Sequence, residues 1–129
     1  MEAIELTLPA VPTAITEART KVTERLSRRI PIDALEDVRL LVTELITNAL
    51  RHSAVRPGDN VSVKAEVSGE TVRIEVRNPG SDGEVKPRRP GPRGGGYGLY
   101  LVDRLARRWG VDSNDETVVW CEVASGVGR

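Results

Sequence analysis

Two adjacent stretches of alternating residues constrain the fold of this chain more than any other feature. Aliphatic side chains occupy every second position from 61 to 67 and again from 72 to 76, and Ser68-Gly69 separates the two runs. This pattern predicts a β-hairpin with one apolar face and one face in water. With the same period of two, Asn78 falls on the apolar side, where the covering helices should lie.

Two amphipathic helices are predicted ahead of the hairpin, because apolar residues recur there at spacings of three and four. The first begins at Thr13 and includes apolar positions as far as Leu26. The second is expected over residues 34–52, and Asp33 and Glu36 are placed to form a capping box at its start. The second helix is therefore the longest element that the sequence predicts.

A third helix is predicted to start near Gly98, with Gly110 as its C-terminal cap. Arginines would occupy its later turns, where they suit the helix dipole. These are Arg104, Arg107 and Arg108. Its inner side would be formed by Leu99, Val102, Leu105 and Trp109.

Further strands are predicted at both ends of the chain. Residues 4–8 alternate ahead of a proline, which is typical of a short strand at the edge of a sheet. A brief strand over residues 111–113 and a clearer one over residues 117–123 follow the third helix, with Thr117 on the side that faces the helices. Residues 125–129 are expected to fray.

This order of elements predicts one α+β domain over residues 1–129. A mixed, mostly antiparallel sheet would be covered on one face by about three helices. The chain has 129 residues, of which 39% are hydrophobic, and it contains no phenylalanine. Its core must therefore be aliphatic.

Composition also limits the classes of partner. Lysine and arginine together number 19, as do aspartate and glutamate, so the net charge favours neither nucleic acid nor a membrane. The single cysteine, Cys121, excludes an intrachain disulfide and a cysteine-based zinc site, and it suggests a reducing compartment. No run approaches the ~20 apolar residues that span a bilayer. We expect a cytoplasmic protein without a membrane segment.

Residues 79–96 cannot build a packed element. They contain four prolines, six glycines, one lysine and three arginines. A loop of this length inside a compact domain is commonly functional or disordered, and we expect a flexible active-site lid. Its basic residues could contact the phosphates of a nucleotide, those of RNA, or nothing.

Three polar features are expected to meet on the helix-covered side of the sheet. Glu44 and Asn48 lie four residues apart on one face of the long helix, Asn78 ends a strand, and residues 94–98 place glycines at a helix start. Free N–H groups at a helix start bind phosphate, and an amide oxygen such as that of Asn48 suits Mg²⁺. A carboxylate such as Glu44 can accept a proton. A bound nucleotide would explain all three features.

At these residues the chain resembles the GHKL (histidine kinase-like) ATPase family, and it is most similar to the small anti-sigma factor serine/threonine-protein kinases. Glu44-Leu-Ile-Thr-Asn48-Ala resembles the N box of that family, and Val76-Arg-Asn78-Pro-Gly80 lies where the family contacts adenine. Residues 94–99, followed by Tyr-Leu-Val-Asp, resemble the second glycine box. The resemblance covers most of the chain and implies a Bergerat-type fold, a two-layer α/β sandwich.

The resemblance also implies roles for individual residues. ATP and Mg²⁺ would be the cofactors, with Glu44 as the catalytic base and Asn48 as the metal ligand. The residues expected to bind the nucleotide are Asn48, Asn78, Gly80, Gly94, Gly95, Gly96, Tyr97, Gly98, Leu99 and Thr117.

As partners the resemblance implies an anti-anti-sigma protein, phosphorylated on serine or threonine, and a sigma factor that is sequestered. It further implies a homodimer. Nucleic-acid binding through the basic residues of the lid is a weaker alternative.

Two positions depart from the family pattern. Asn78 stands where the family usually has aspartate, and Asp82 stands where a second glycine is usual. An amide oxygen still accepts a hydrogen bond but lacks the charge that strengthens it. These departures favour a second interpretation, a non-catalytic, nucleotide-responsive protein-binding module, whereas the intact Glu44 and Asn48 favour a kinase.

Overall fold

The described part of the chain forms three helices and five strands. The computed structural model describes residues 2–52, 56–78, 97–113 and 116–127. Along the chain these form β1 (Glu2–Pro9), α1 (Thr13–Leu26), α2 (Ile32–His52), β2 (Asn60–Ser68), β3 (Thr71–Asn78), α3 (Tyr97–Leu105), β4 (Arg108–Ser113) and β5 (Thr117–Ala124).

The sheet has the strand order β1-β2-β3-β5-β4, and every pairing among the described residues is antiparallel. The predicted hairpin is confirmed as β2 and β3, with Val67 opposite Val72. Gly69 has a φ of +59° in the connecting turn, a conformation that glycine adopts without steric cost. β1 lies at one edge of the sheet, as its sequence predicts.

All three helices pack together above one face of the sheet, which confirms the α+β, two-layer class. α2 lies between its neighbours, since it contacts both α1 and α3, and it packs on β3 and β5. Along β2, β3 and β5, buried residues that face the helices alternate with more exposed residues on the opposite face. The core between the layers is aliphatic, as expected, and its largest fully buried side chains are Leu26, Leu41, Leu45, Ile46 and Ile74.

The opposite face of the sheet carries an ordered group of charges around Trp120. The Arg73 guanidinium lies 4.3 Å from the centre of the Trp120 ring and donates hydrogen bonds to Glu75 (2.8 Å) and Glu122 (2.9 Å). Arg108 lies over the same ring at 5.5 Å. Cation–π contacts and paired charges let this face remain polar while covering the sheet backbone.

The prediction that the third helix continues to Gly110 is wrong. α3 ends at Leu105, and Arg108, Trp109 and Gly110 belong to β4. The chain pairs with β5 directly after α3 ends. The first contact is a hydrogen bond that the Arg107 N–H donates to the Glu122 carbonyl at 2.8 Å.

Gly110 has a packing role in place of the predicted capping role. It lies opposite Trp120 in the β4–β5 ladder, and a Cβ at this position would come within 2.9 Å of the indole ring. A residue without a side chain therefore lets Trp120 lie flat across the edge strand.

Two further predictions at element ends are corrected. α2 begins at Ile32, so Asp33 lies inside the first turn instead of capping it, where its charge still suits the helix dipole. Ser125 does not fray: it is fully buried, its N–H donates to the Glu70 carbonyl (2.8 Å), and its hydroxyl donates to the Gly69 carbonyl (2.9 Å). The end of β5 is thereby tied to the β2–β3 turn.

Of the helices that the structure describes, none combines the length and the apolar composition needed to cross a membrane.

The contribution of core packing to stability can be tested by changing isoleucine to alanine at one buried and one exposed site. Ile74 is fully buried at the centre of the sheet, whereas Ile32 is 66% exposed at the start of α2. Ile74→Ala should lower the free energy of unfolding by about 2–5 kcal/mol because it leaves a cavity, and Ile32→Ala should change it by less than about 0.5 kcal/mol. Urea denaturation followed by circular dichroism measures both, and equal losses would contradict the assigned core.

Candidate functional site

The long helix α2 positions Glu44 and Asn48 at the edge of the core. In the sequence they flank Leu45, which is fully buried. Leu41, three residues before Glu44 and seven before Asn48, is also fully buried. Both polar side chains are half-buried. One helical turn separates them, a rise of about 6 Å. The predicted placement beside the apolar stripe is confirmed.

Partial burial changes the acidity of Glu44. Loss of hydration raises the pKa of its carboxyl group above the ordinary value, and the positive charge of Arg51 offsets part of this effect. Arg51 follows Glu44 by seven residues, which is two helical turns and therefore the same face. Helical periodicity could have identified this neighbour from the sequence. A carboxylate with a raised pKa binds a proton more readily than one in water.

The Asn48 side chain makes no hydrogen bond with the residues that the structure describes. Its carboxamide oxygen is a hard donor of the kind that Mg²⁺ accepts. Within the described ranges no three histidine, cysteine, aspartate or glutamate side chains cluster to hold a metal. A magnesium ion at Asn48 would therefore need water or phosphate oxygens to complete its coordination.

A second polar pair lies under the helices, at one end of the sheet. Asn78 is the last residue of β3 and Thr117 is the first of β5, and their Cα atoms are partners in the ladder. They are 5% and 3% exposed. The prediction that both face the helices is confirmed. α2 packs on both strands, so its polar pair and this one share a side of the sheet.

The start of α3 supplies the third part of the predicted site. The helix begins at Tyr97, one residue before the expected start, and Gly98 and Leu99 lie in its first turn. It packs against α2, the helix that carries Glu44 and Asn48. The remaining predicted residues, Gly80, Gly94, Gly95 and Gly96, lie outside the described residues, as do Asp82 and the whole predicted lid.

Sequence patterns did not predict the contact that holds the other end of α3. The Trp109 Nε1–H donates to the Asp103 carboxylate at 2.9 Å, which links the last turn of α3 to β4. The two residues are six positions apart and belong to different elements, so no helical or strand periodicity relates them.

Comparisons with known proteins agree with this geometry. Residues 8–122 match the histidine kinase-like ATPase domain. An uncharacterized protein of Streptomyces coelicolor is 38% identical over 64% of this chain and 81% of its own length. The serine-protein kinases RsbW of Listeria innocua and Listeria monocytogenes are 28% identical over 79% of this chain and 74% of theirs.

A solved structure shows the same fold. The crystal structure of the RsbU and RsbW domains of a Mycobacterium tuberculosis protein superimposes with a TM-score of 0.73 at 18% sequence identity. The match covers 95% of this chain, which spans about a third (32%) of that longer chain. With the family match over most of its length, the chain belongs to the histidine kinase-like ATPase (GHKL) family.

Proposed function

We propose that the chain is an ATP-dependent serine/threonine-protein kinase of the anti-sigma factor type. The observation that carries the proposal is the arrangement on α2, where a half-buried carboxylate with a raised pKa lies one turn from a half-buried amide oxygen. Asn78 and Thr117, on the same side of the sheet, would form a separate polar part of the site for the purine base of the nucleotide. The similarity to the RsbW serine-protein kinases supports the class.

Backbone groups would bind the phosphates. The first N–H groups of α3 have no partner within the helix and carry the positive end of its dipole. Gly98 in the first turn lets an anion approach closely. Gly94, Gly95 and Gly96 directly precede this helix in the sequence and would extend the same cradle.

Asn48 would hold a magnesium ion through its carboxamide oxygen. The ion, when bound, supplies positive charge that neutralises the phosphate oxygens. The half-buried position of Asn48 suits this role, since partial exclusion of water strengthens the interaction between the amide dipole and a cation.

Glu44 would act as the general base. It would accept the proton of a serine or threonine hydroxyl on a partner protein while that oxygen forms a bond to the γ-phosphorus of ATP. The bond from the γ-phosphorus to the β,γ-bridging oxygen breaks, and ADP leaves with those electrons. The raised pKa of Glu44 favours proton acceptance near neutral pH.

The proposed acceptor is an anti-anti-sigma protein, and the proposed sequestered partner is a sigma factor, with the kinase acting as a homodimer. The serine-protein kinase name of the RsbW relatives supports a protein substrate.

A second candidate is a nucleotide-responsive binding module that no longer transfers phosphate. The neutral amide of Asn78 favours it, because a charged acceptor would bind an amino group more strongly. Labelled ATP with an anti-anti-sigma protein separates the two candidates. Transfer of label to the acceptor hydroxyl supports the kinase, whereas tight partner binding without transfer supports the module.

Asn48→Ala should weaken binding of Mg²⁺-ATP at least tenfold, because it removes the oxygen that would hold the metal. Isothermal titration with ATP in the presence and absence of Mg²⁺ measures the effect. Asn60→Ala, the same change at an exposed site on β2, is the matched control and should bind as the wild type does. Unchanged binding in the Asn48 variant would count against the assigned metal ligand.

Glu44→Ala should leave Mg²⁺-ATP binding within about threefold of the wild-type value and reduce phosphate transfer by about 10²–10⁴-fold, the usual contribution of a general base. Single-turnover transfer of labelled phosphate gives the rate. Glu36→Ala, on the exposed side of the same helix, should retain the wild-type rate. Full activity in the Glu44 variant would remove the carboxylate from the mechanism.

The raised pKa of Glu44 predicts a pH-dependent cost to stability. The folded state holds this proton more tightly than the unfolded state, so the stabilising effect of protonation is complete below the ordinary value of 4.5 and is lost as the pH rises through the folded pKa. Glu44→Gln, which is neutral throughout, should therefore be more stable than the wild type at pH 7. Thermal unfolding at pH 4 and pH 7 tests this, and a difference that does not grow with pH would contradict it.

A further inference from the structure

The outer side of α2 carries a row of four residues that includes Glu44. Leu40, Glu44, Thr47 and Arg51 follow one another at helical spacings of three and four residues, so they fall within about 60° of one another around the helix axis. Leu45, on the side of α2 toward the sheet, is fully buried. The four residues form one continuous surface, the α2 outer stripe.

Leu40 gives the stripe an apolar part. Among the described helical residues the exposed large apolar side chains are Ile32, Leu40 and Tyr100, and Leu40 is 40% exposed. A surface cleft of about 340 Å³ between α1 and α2 is lined by Leu40 and Thr43. Single apolar side chains are common on protein surfaces. Leu40 differs in its position, since it lies one helical turn from Glu44, about 6 Å along the axis.

Thr47 extends the apolar part to the other side of Glu44. Its hydroxyl donates to the Thr43 carbonyl at 2.7 Å, and the Thr43 hydroxyl donates to the Arg39 carbonyl at 2.9 Å. Both hydroxyls are therefore used within the helix. The group that each threonine leaves for a partner is its methyl group.

Arg51 places a cation at the C-terminal end of the stripe. Its side chain is exposed, and within the described ranges it forms no salt bridge or hydrogen bond. It follows Glu44 by seven residues, a rise of about 10 Å along the helix axis. An exposed cation attracts an acidic group on a partner and helps to set the register in which the two proteins meet.

The position of Glu44 within the stripe decides which partner would cover it. A hydroxyl that gives its proton to Glu44 must come within hydrogen-bonding distance of the carboxylate, about 3 Å. The protein that carries this hydroxyl then lies over the residues one turn before and one turn after Glu44. Continuity with the proposed base therefore favours the acceptor protein as the occupant.

We propose that the α2 outer stripe is the docking surface for the acceptor protein, which presents its hydroxyl between an apolar side chain seated on Leu40 and an acidic side chain paired with Arg51. The proposal rests on the proposed kinase function and adds a basis for substrate choice. Because α2 is packed on the sheet and between two helices, the surface is ordered before the acceptor arrives, which lowers the entropic cost of docking.

The test uses the full chain and, as probes, the anti-anti-sigma proteins of the source organism. Acceptor binding is measured by isothermal titration in Mg²⁺-ADP, which permits no transfer, and transfer of label from ATP is measured in parallel. Leu40→Ala and Arg51→Ala should each weaken acceptor binding about fivefold or more, while ATP binding without the acceptor stays within about twofold of the wild-type value.

Matched controls are available at exposed positions away from the stripe. Ile32→Ala removes an apolar side chain from the same helix, and Arg28→Ala removes an arginine that precedes it. Both should bind the acceptor as the wild type does. Added salt should weaken acceptor binding more in the wild type than in Arg51→Ala, because ions screen an exposed charge pair.

The possible failures are distinguishable. Unchanged acceptor binding in either folded stripe variant overturns the surface as assigned, while transfer by the wild type still supports the kinase. Weaker ATP binding in Arg51→Ala without the acceptor would assign this guanidinium to the nucleotide and overturn its role in docking. Absence of transfer by the folded wild type to any of the probes overturns the proposed function itself, and the docking proposal with it.

Discussion

The burial of one side of α2 is the constraint on which the site depends. Val38, Leu41, Leu45 and Ala49 are buried where α2 packs on β3 and β5 between the other two helices. Successive side chains on a helix differ by about 100°, so this packing fixes the rotation of α2. Turning the helix by one residue would bury charged groups and expose leucine. The packing that stabilises the fold therefore also holds Glu44 and Asn48 at the edge of the core.

The residues of the candidate site are buried to different extents, and the more deeply buried ones carry no charge. Glu44, an ionisable group, is half-buried, and loss of hydration raises its pKa without a full desolvation cost. Asn78 and Thr117 lie deeper and carry no charge. A fully buried charge at their position would cost far more unless it were paired. In the candidate site, the ionisable side chain therefore lies on α2, and the two most deeply buried polar side chains, both neutral, lie on the sheet.

Much of this arrangement could be predicted because it depends on local periodicity. The hairpin, the inward direction of Asn78 and the edge position of Glu44 follow from periods of two and 3.6 residues. The end of α3 could not be predicted in this way, since Leu105 and Trp109 fit a helical spacing while Trp109 and Val111 also fit a strand. The backbone hydrogen bond between Arg107 and Glu122 selects the strand over the helix. In the same way, the contacts of Ser125 determine the path of the chain after β5. Such contacts join residues far apart in sequence.

The most direct test of the account is to map the binding site by NMR. Amide resonances of the ¹⁵N-labelled chain should shift on addition of Mg²⁺-ATP in the second half of α2, at Asn78 and Thr117, and at the start of α3, while those of β1 and the outer side of α1 stay in place. Shifts confined to α1, or to the face of the sheet that carries Trp120, would contradict a nucleotide site between α2, α3 and the ends of β3 and β5.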